Sequence, residues 1–584
     1  MRPLVKEAAC LSALIPRVGR DIDALHARAR DRARAAGRPV VVSLTVGAEA
    51  VDPVAVFERA AVLGRDRALW IAPGGEMALA ALGAAAVLEA GGTAGLAPVA
   101  ALRAAWHELL AGAAVEAPPG VWGAGPLLVG GFAFDPAAAP DPVWAGFPAA
   151  RFVLPEVLVT VTGGRAWLTC NGVVVPGDLP GEAAWELAGG VRLRLPATAG
   201  APAGERARRW LALLAASGAL PAAGSSSGIA ASAGGSREGG AAPGSGTPLA
   251  ASAAAAGTGR AAPGSGGLRA GAAGGADVTL PGTGEDPGSG VPVAGTGRGD
   301  GGIEREEWPP AGRWQAMVAA ALEAIGRGAL HKVVLSRRVR VRGPAAFDPG
   351  LAVRRLRAAY PGCFVFAVAR DREAFVGATP ERLVRLRGGR LDTAALAGST
   401  ARGATPEADE RLGRALLASP KERAEHALVV EMLRQALAPL CRVLSVPPEP
   451  RLLRLGNVQH LYTPISGAVE GRSVLELVER LHPTPAVGGW PRAAALEFIR
   501  THEPGSRGWY AAPVGWVDRR GEGEFAVAIR SGLLRGAEAW LFAGCGIVAG
   551  SDPAREYEET RLKLRPLLAA LGVEPAPGEE PERG

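Results

Sequence analysis

The chain of 584 residues is poor in cysteine, methionine and tyrosine, with five, four and four of each. The cysteines, Cys10, Cys170, Cys363, Cys441 and Cys545, lie far apart and form no Cys-x-x-Cys pair. That excludes a disulfide scaffold and a thiolate zinc site, and a reducing, cytoplasmic setting is expected. Long apolar runs are missing too. No stretch approaches the ~18 uninterrupted apolar residues of a membrane-spanning helix, so no membrane partner is expected. Pro3, Lys6, Glu7 and Pro16 break the N-terminal apolar run, which argues against a secretory leader. Charge of one sign is scarce as well. Lys plus Arg is 64 against 57 for Asp plus Glu, a net charge of +7. The excess is mostly arginine, interleaved with acids, and does not make the basic footprint of a nucleic-acid binder.

Glycine and proline are abundant, at 82 and 48. They concentrate in one place: 59 of the 80 residues in 221–300 are Gly, Ala, Ser or Pro, and none is aromatic. Such a run cannot bury enough apolar surface to offset its ordering entropy, so a disordered insert is expected over 221–302. It separates an N-terminal part, 1–220, from a C-terminal part, 303–573. The Pro/Glu/Gly-rich tail, 574–584, is expected to fray.

The pattern of elements indicates a mixed α/β (α+β) protein. In the N-terminal part, 20–36 and 98–114 read as helices, and 40–46, 68–72, 127–134 and 152–162 as strands. Few ionisable groups converge there, so this half is read as structural. In the C-terminal part, 332–341, 363–369, 374–377, 509–518, 524–534 and 539–543 read as strands. Residues 313–325, 421–440, 474–481 and 552–571 read as helices. Asp552 is the expected N-cap of the last one, with Pro553 at the first helical position.

Two of these helices carry paired carboxylates. In KERAEHALVVEMLRQALAPL (421–440), Glu422 and Glu425 are three apart and share a face. In DPAREYEETRLKLRPLLAAL (552–571), Glu556 and Glu559 are spaced alike, and Lys563 follows four further on. Face to face, such pairs suit Mg²⁺, which keeps several waters and shares its shell with an anionic substrate. From the spacing alone, two solvated acidic faces with an i,i+4 Glu–Lys pair are the favoured reading. A di-iron bundle is excluded, because it needs Glu-x-x-His and His426 directly follows Glu425.

Other side chains have chemistry available to them. Lys332 is followed by Val333, Val334 and Leu335. A lysine at its ordinary pKa of about 10.4 is no base at neutral pH, but burial would make it one. A solvated strand-edge lysine fits the same pattern. Glu381, in GATPER, could act as a general acid if its pKa were raised; it could also be a plain turn residue. Arg530 ends FAVAIR and offers a planar fork to a carboxylate, within reach of Tyr510. His482 opens the rigid loop HPTPAVGG, which contains Ala486 and could present backbone to a ligand. By itself His482 reads as structural. Gly544-Cys545-Gly546 with Ala549 matches a relaxed dinucleotide fingerprint. It is rejected because the next helix opens only at Pro553 and its first turns carry Glu556, Glu558 and Glu559, which would repel a pyrophosphate.

Taken in order, KVVLSR (332–337), FVGATPERL (375–383), LAGSTARG (396–403), KERAEH (421–426), HPTPAVGG (482–489), AIRSG (528–532), AGCGIVAGSDPAREYEET (543–560) and Lys563 resemble the chorismate-utilising enzymes, and within them the isochorismate synthases. The match runs through nearly all of 303–572. It is weaker over 1–220, where GGFAFDP (130–136), Trp144 and Phe147 echo it. The resemblance implies a large central β-sandwich of near-orthogonal sheets surrounded by helices, and a monomer. It implies chorismate as substrate, with Lys332 activating water and Glu381 protonating the leaving hydroxyl. Glu425 and Glu559 would hold Mg²⁺, with Glu422 and Glu556 beside them. Gly398, Ser399, His482, Ala486, Tyr510, Arg530, Gly544 and Lys563 would contact substrate. Three positions imply isochorismate as the product. Ammonia-using relatives have Gln at Lys332, aminodeoxychorismate synthase has a nucleophilic Lys near Ala397, and salicylate synthases tend to Thr at Ala486. Anthranilate- or salicylate-forming relatives are the alternatives within the family, and a basic nucleic-acid-binding protein the alternative outside it. Menaquinone biosynthesis is the expected pathway and siderophore biosynthesis the other.

Overall fold

The computed structural model describes residues 11–49, 51–63, 66–91, 97–177, 183–196, 203–216, 298–299, 302–454 and 458–573. The chain divides into Met1–Ser225 with Gly295–Gly584, and Ser226–Ala294. The second unit, which is most of the expected insert, lies outside the described residues, as does the 574–584 tail.

Both parts of the sequence build the same two sheets, which among the described residues have 14 and 12 strands. In the larger sheet, Phe364–Arg370 pairs antiparallel with Arg67–Ile71. In the smaller, Pro513–Asp518 pairs antiparallel with Leu127–Phe132. Backbone hydrogen bonds therefore join the N- and C-terminal parts across each sheet.

Strand periodicity sorts the side chains into two cores. On Phe364–Arg370, Phe364, Phe366 and Val368 join one cluster, with Trp70, Phe152, Phe525 and Trp516. Val365, Ala367 and Ala369 join the other. There they meet Ile22 of Leu11–Ala36, Leu356 of Pro349–Ala359 and Leu567 of Pro553–Leu571. The larger sheet is thus buried on both faces, which explains why its strands read as continuous apolar runs.

At several corners the chain passes directly from one sheet to the other. The expected single strand over 152–162 is two, Ala150–Leu154 in the smaller sheet and Val157–Thr162 in the larger, turned at Pro155 and Glu156. The expected strand over 524–534 is likewise two, Gly523–Val527 and Ser531–Arg535. Between them Arg530 has φ 54°, in the left-handed region. Glu373–Thr379 hands over to Arg382–Arg387 through Pro380 and Glu381. The last two corners are stitched together. Ala378 N donates to Arg530 O at 3.2 Å and Val527 N to Glu381 O at 3.0 Å. Thr379 Oγ1 donates to Val527 O at 2.7 Å. Over 509–518 only Pro513–Asp518 is strand, because 509–512 is a turn.

Candidate active site

The candidate residues gather where these corners face two helix N-termini. Ser419 caps Pro420–Leu437, its Oγ accepting from Glu422 N at 3.4 Å. Asp552 caps Pro553–Leu571 as expected, accepting from Ala554 N and Arg555 N. Each cap sets the carboxylate pair in the first two turns of its helix.

Lys332 opens the strand Lys332–Arg342 and is 2% exposed. Its Nζ reaches Glu425 Oε1 at 2.6 Å, so the amine points at the acidic helix. Gly546, on the neighbouring strand, makes room: a Cβ there would lie 2.8 Å from Lys332 Cε and 3.5 Å from Glu425 Oε1.

The two acidic helices act on one another. Burial, then Glu425, and further on Glu559, raise the pKa of Glu422, while a hydrogen bond from the Ser399 backbone opposes them. Burial and Glu559 also raise Glu556, against hydrogen bonds from Ser551 and Cys545. Burial would raise Glu559 as well, but Lys563, Arg530 and His460 outweigh it and hold it below the usual range. Lys563 Nζ donates to Glu559 and, at 3.0 Å, to Gly544 O. Among the described residues no three His, Cys, Asp or Glu side chains converge as a finished cage. Carboxylates from two helices, mutually repelling and partly open, nonetheless fit a cation whose remaining positions go to water and substrate oxygens. Glu425 and Glu559 are the residues that could hold such a cation, with Glu422 and Glu556 alongside.

Glu381 sits at its corner 7% exposed. Burial pushes its carboxyl up to about 7, against the pull of Lys332 and Arg530. It is therefore a carboxyl able to give up a proton near neutrality. Arg530, at the adjoining corner, senses Tyr510, Glu559 and Glu381. It makes no ion pair among the described residues, which leaves its fork for an anion. Tyr510 is buried and stacks on Phe542 at 5.3 Å, and a Cβ on Gly544 would lie 3.2 Å from its hydroxyl.

Gly398 has φ 77° at a bulge in Arg390–Ala401, where the register against Val458–Ala468 shifts between Ala397 and Ser399. The bulge turns Ser399 N toward Glu422.

The structure does not bring His482 into this cluster. Its Nε2 bonds Phe134 O at 3.0 Å and its ring packs edge-on against Phe134, so it anchors the loop to the N-terminal part. Burial holds it at about 3, and it is neutral. Ala486 is half-buried in the same loop. The loop contributes through its end, where Gly489–Trp490 pairs with Lys332 and Val333.

Sequence reasoning missed His460. It lies opposite Ser399, 8% exposed, and is held by the Gly398 backbone. Its Nε2 is buried without a hydrogen-bond partner among the described residues. Burial, then Arg530 and Lys563, lowers its pKa to about 3, so it is neutral and faces the same cations as the anion site. The strand carrying it, Val458–Ala468, is hidden in the sequence by Pro464. Composition held another unread signal. The chain has only four lysines, Lys6, Lys332, Lys421 and Lys563, and two of them line this site.

The family model described as chorismate binding enzyme matches residues 26–194 and 298–572. The salicylate biosynthesis isochorismate synthase of Pseudomonas aeruginosa is 35% identical over 548 residues, 94% of this chain and 93% of that one. Isochorismate synthase MenF of Bacillus subtilis is 46% identical over 264 residues, 45% of this chain and 56% of that one. The solved structure of MenF, the menaquinone-specific isochorismate synthase from Escherichia coli, superposes with a TM-score of 0.61 at 23% identity, covering 92% of this chain and 96% of that one. The family match takes in both parts of the chain and every residue of the cluster, and the protein is a member of the chorismate binding enzyme family.

Proposed function

We propose that the protein is a Mg²⁺-dependent isochorismate synthase, an isomerase that adds water at C2 of chorismate and releases the C4 hydroxyl. The observation that carries the reading is a buried lysine, 2.6 Å from Glu425 of the first carboxylate pair, that acts electrostatically on a buried carboxyl whose pKa is about 7. Lys332 takes a proton from water as the O–C2 bond forms. The ring double bonds shift and the C4–O bond breaks. Glu381 gives its proton to the departing hydroxyl, so one water enters and one leaves. Arg530, with Tyr510 near it, clamps a substrate carboxylate. Bound Mg²⁺ would neutralise the ring carboxylate and fix the ring's orientation. Lysine at position 332, rather than the glutamine of ammonia-using relatives, supports water as the nucleophile.

Incubation of the purified protein with chorismate, with and without Mg²⁺, tests this. Isochorismate formed only with Mg²⁺ and without pyruvate is the expected result. Pyruvate release would make the protein a lyase, and turnover unaffected by chelation would remove the metal.

Menaquinone supply is the pathway we favour, with the enzyme a cytoplasmic monomer. The full-length similarity to the Pseudomonas aeruginosa protein favours supply of salicylate as a second reading. Rescue of a menaquinone-deficient strain, set against rescue of a salicylate-deficient one, separates the two.

A further inference from the structure

A second concave surface is lined by none of the residues assigned above. It is an open groove of about 570 Å³ bounded by residues of Pro420–Leu437, Val474–Leu481 and the Trp490–Arg492 turn. That volume falls within the ~300–1,000 Å³ common for small-molecule sites.

Its charge is unbalanced. Arg480 Nε donates to Ala436 O at 3.3 Å, and Arg492 donates to His482 O, each finishing a helix C-terminus. Neither arginine has a carboxylate partner among the described residues. Glu476, which also lines the groove, is already held by Arg103 and Arg472. Burial, then its neighbour Arg480, keeps Arg492 below the usual guanidinium range. Two like charges therefore stand together beside the Trp490 indole. Glu479, exposed and without a cation partner among the described residues, lines the same groove.

We propose that this groove is a second, non-catalytic binding site for a planar ring carboxylate that bears a hydroxyl. The carboxylate takes the two arginine forks, the ring lies against Trp490, and the hydroxyl donates to Glu479. A bare inorganic anion would use neither the indole nor Glu479.

Occupancy bears on the catalytic strand. Trp490 O accepts from His331 N at 2.8 Å, and Trp490 is the register partner of Lys332. Met432, in the groove, lies seven residues beyond Glu425, two turns along the same helix face. A ligand that moves Trp490 or this helix therefore acts on Lys332 and Glu425. This coupling rests on the reaction proposed above; the binding does not.

Titration calorimetry of the full chain with salicylate as the probe, without Mg²⁺ and with and without saturating chorismate, tests the proposal. One site per chain is expected, undisturbed by chorismate. Arg480→Ala should weaken it by about tenfold or more, ~1.4 kcal/mol. Met432→Trp, which fills the groove and leaves both arginines in place, should abolish it. Absence of salicylate binding would overturn the site. So would binding displaced by chorismate and indifferent to both variants, which would put the ligand in the catalytic cleft. Inorganic phosphate binding as tightly as salicylate would overturn the ring requirement. These heats are read without turnover, so loss of the isochorismate reading would leave them standing.

Discussion

Lys332 and Glu381 are both buried, and burial favours the protonated form of the Glu381 carboxyl. For Glu381 the result is a proton held until about pH 7. If that proton is the one given to the leaving hydroxyl, kcat should fall as pH rises through about 7. Glu381→Gln should be slow at every pH measured. A wild-type profile still rising above pH 8 would contradict the acid role. Lys332→Ala should cost about 10²–10⁴ in kcat, the usual worth of a positioned general base, with KM little changed. Near-normal turnover in that variant would remove the water-activating role. His460 was illegible because nothing local marks it. Its burial and its cationic neighbours arise from a strand pairing across about sixty residues of sequence. The acidic pairs were legible because helical spacing is local, but only tertiary packing sets Glu559 near the carboxylates of the other helix.

At the scale of elements, the site is built at corners. Two of the corners where the chain changes sheet carry Glu381 and Arg530, and hydrogen bonds hold those two corners together. The sequence hid them for a physical reason. Residues 152–162 and 524–534 keep β-rich composition through the turn, so periodicity alone runs each pair of strands into one. The helices were read closely because caps and apolar spacing are encoded within a few residues, as at Asp552. Gly546 links element to residue. Gly546→Ala would bring a methyl within 2.8 Å of the flexible end of Lys332, not of any backbone atom. The fold should therefore survive while the amine is displaced. The expected outcome is an unchanged melting temperature with kcat reduced by about tenfold or more, roughly 1.4 kcal/mol of transition-state stabilisation. A variant that melts early and keeps its kcat would show that the contact is only structural.

At the scale of the whole molecule, the N-terminal part does more for the site than its scarcity of ionisable groups indicates. Trp144 stacks on Phe542 at 5.2 Å, and Phe542 stacks on Tyr510. Trp144→Ala should destabilise the protein by about 3–5 kcal/mol, as large-to-small changes in a core do, and raise KM. Chemical denaturation and steady-state kinetics would check both. Residues 226–294 supply no part of the described cluster. Deleting them should leave activity within a few-fold, and loss of soluble protein would show that they are needed for folding. The claim on which all of this depends is that water, activated beside Lys332, becomes the hydroxyl at C2. Turnover of chorismate in H₂¹⁸O, followed by mass spectrometry of the product, measures it directly. The account predicts one ¹⁸O in isochorismate, at C2, with the C4 oxygen lost. Unlabelled isochorismate would contradict it.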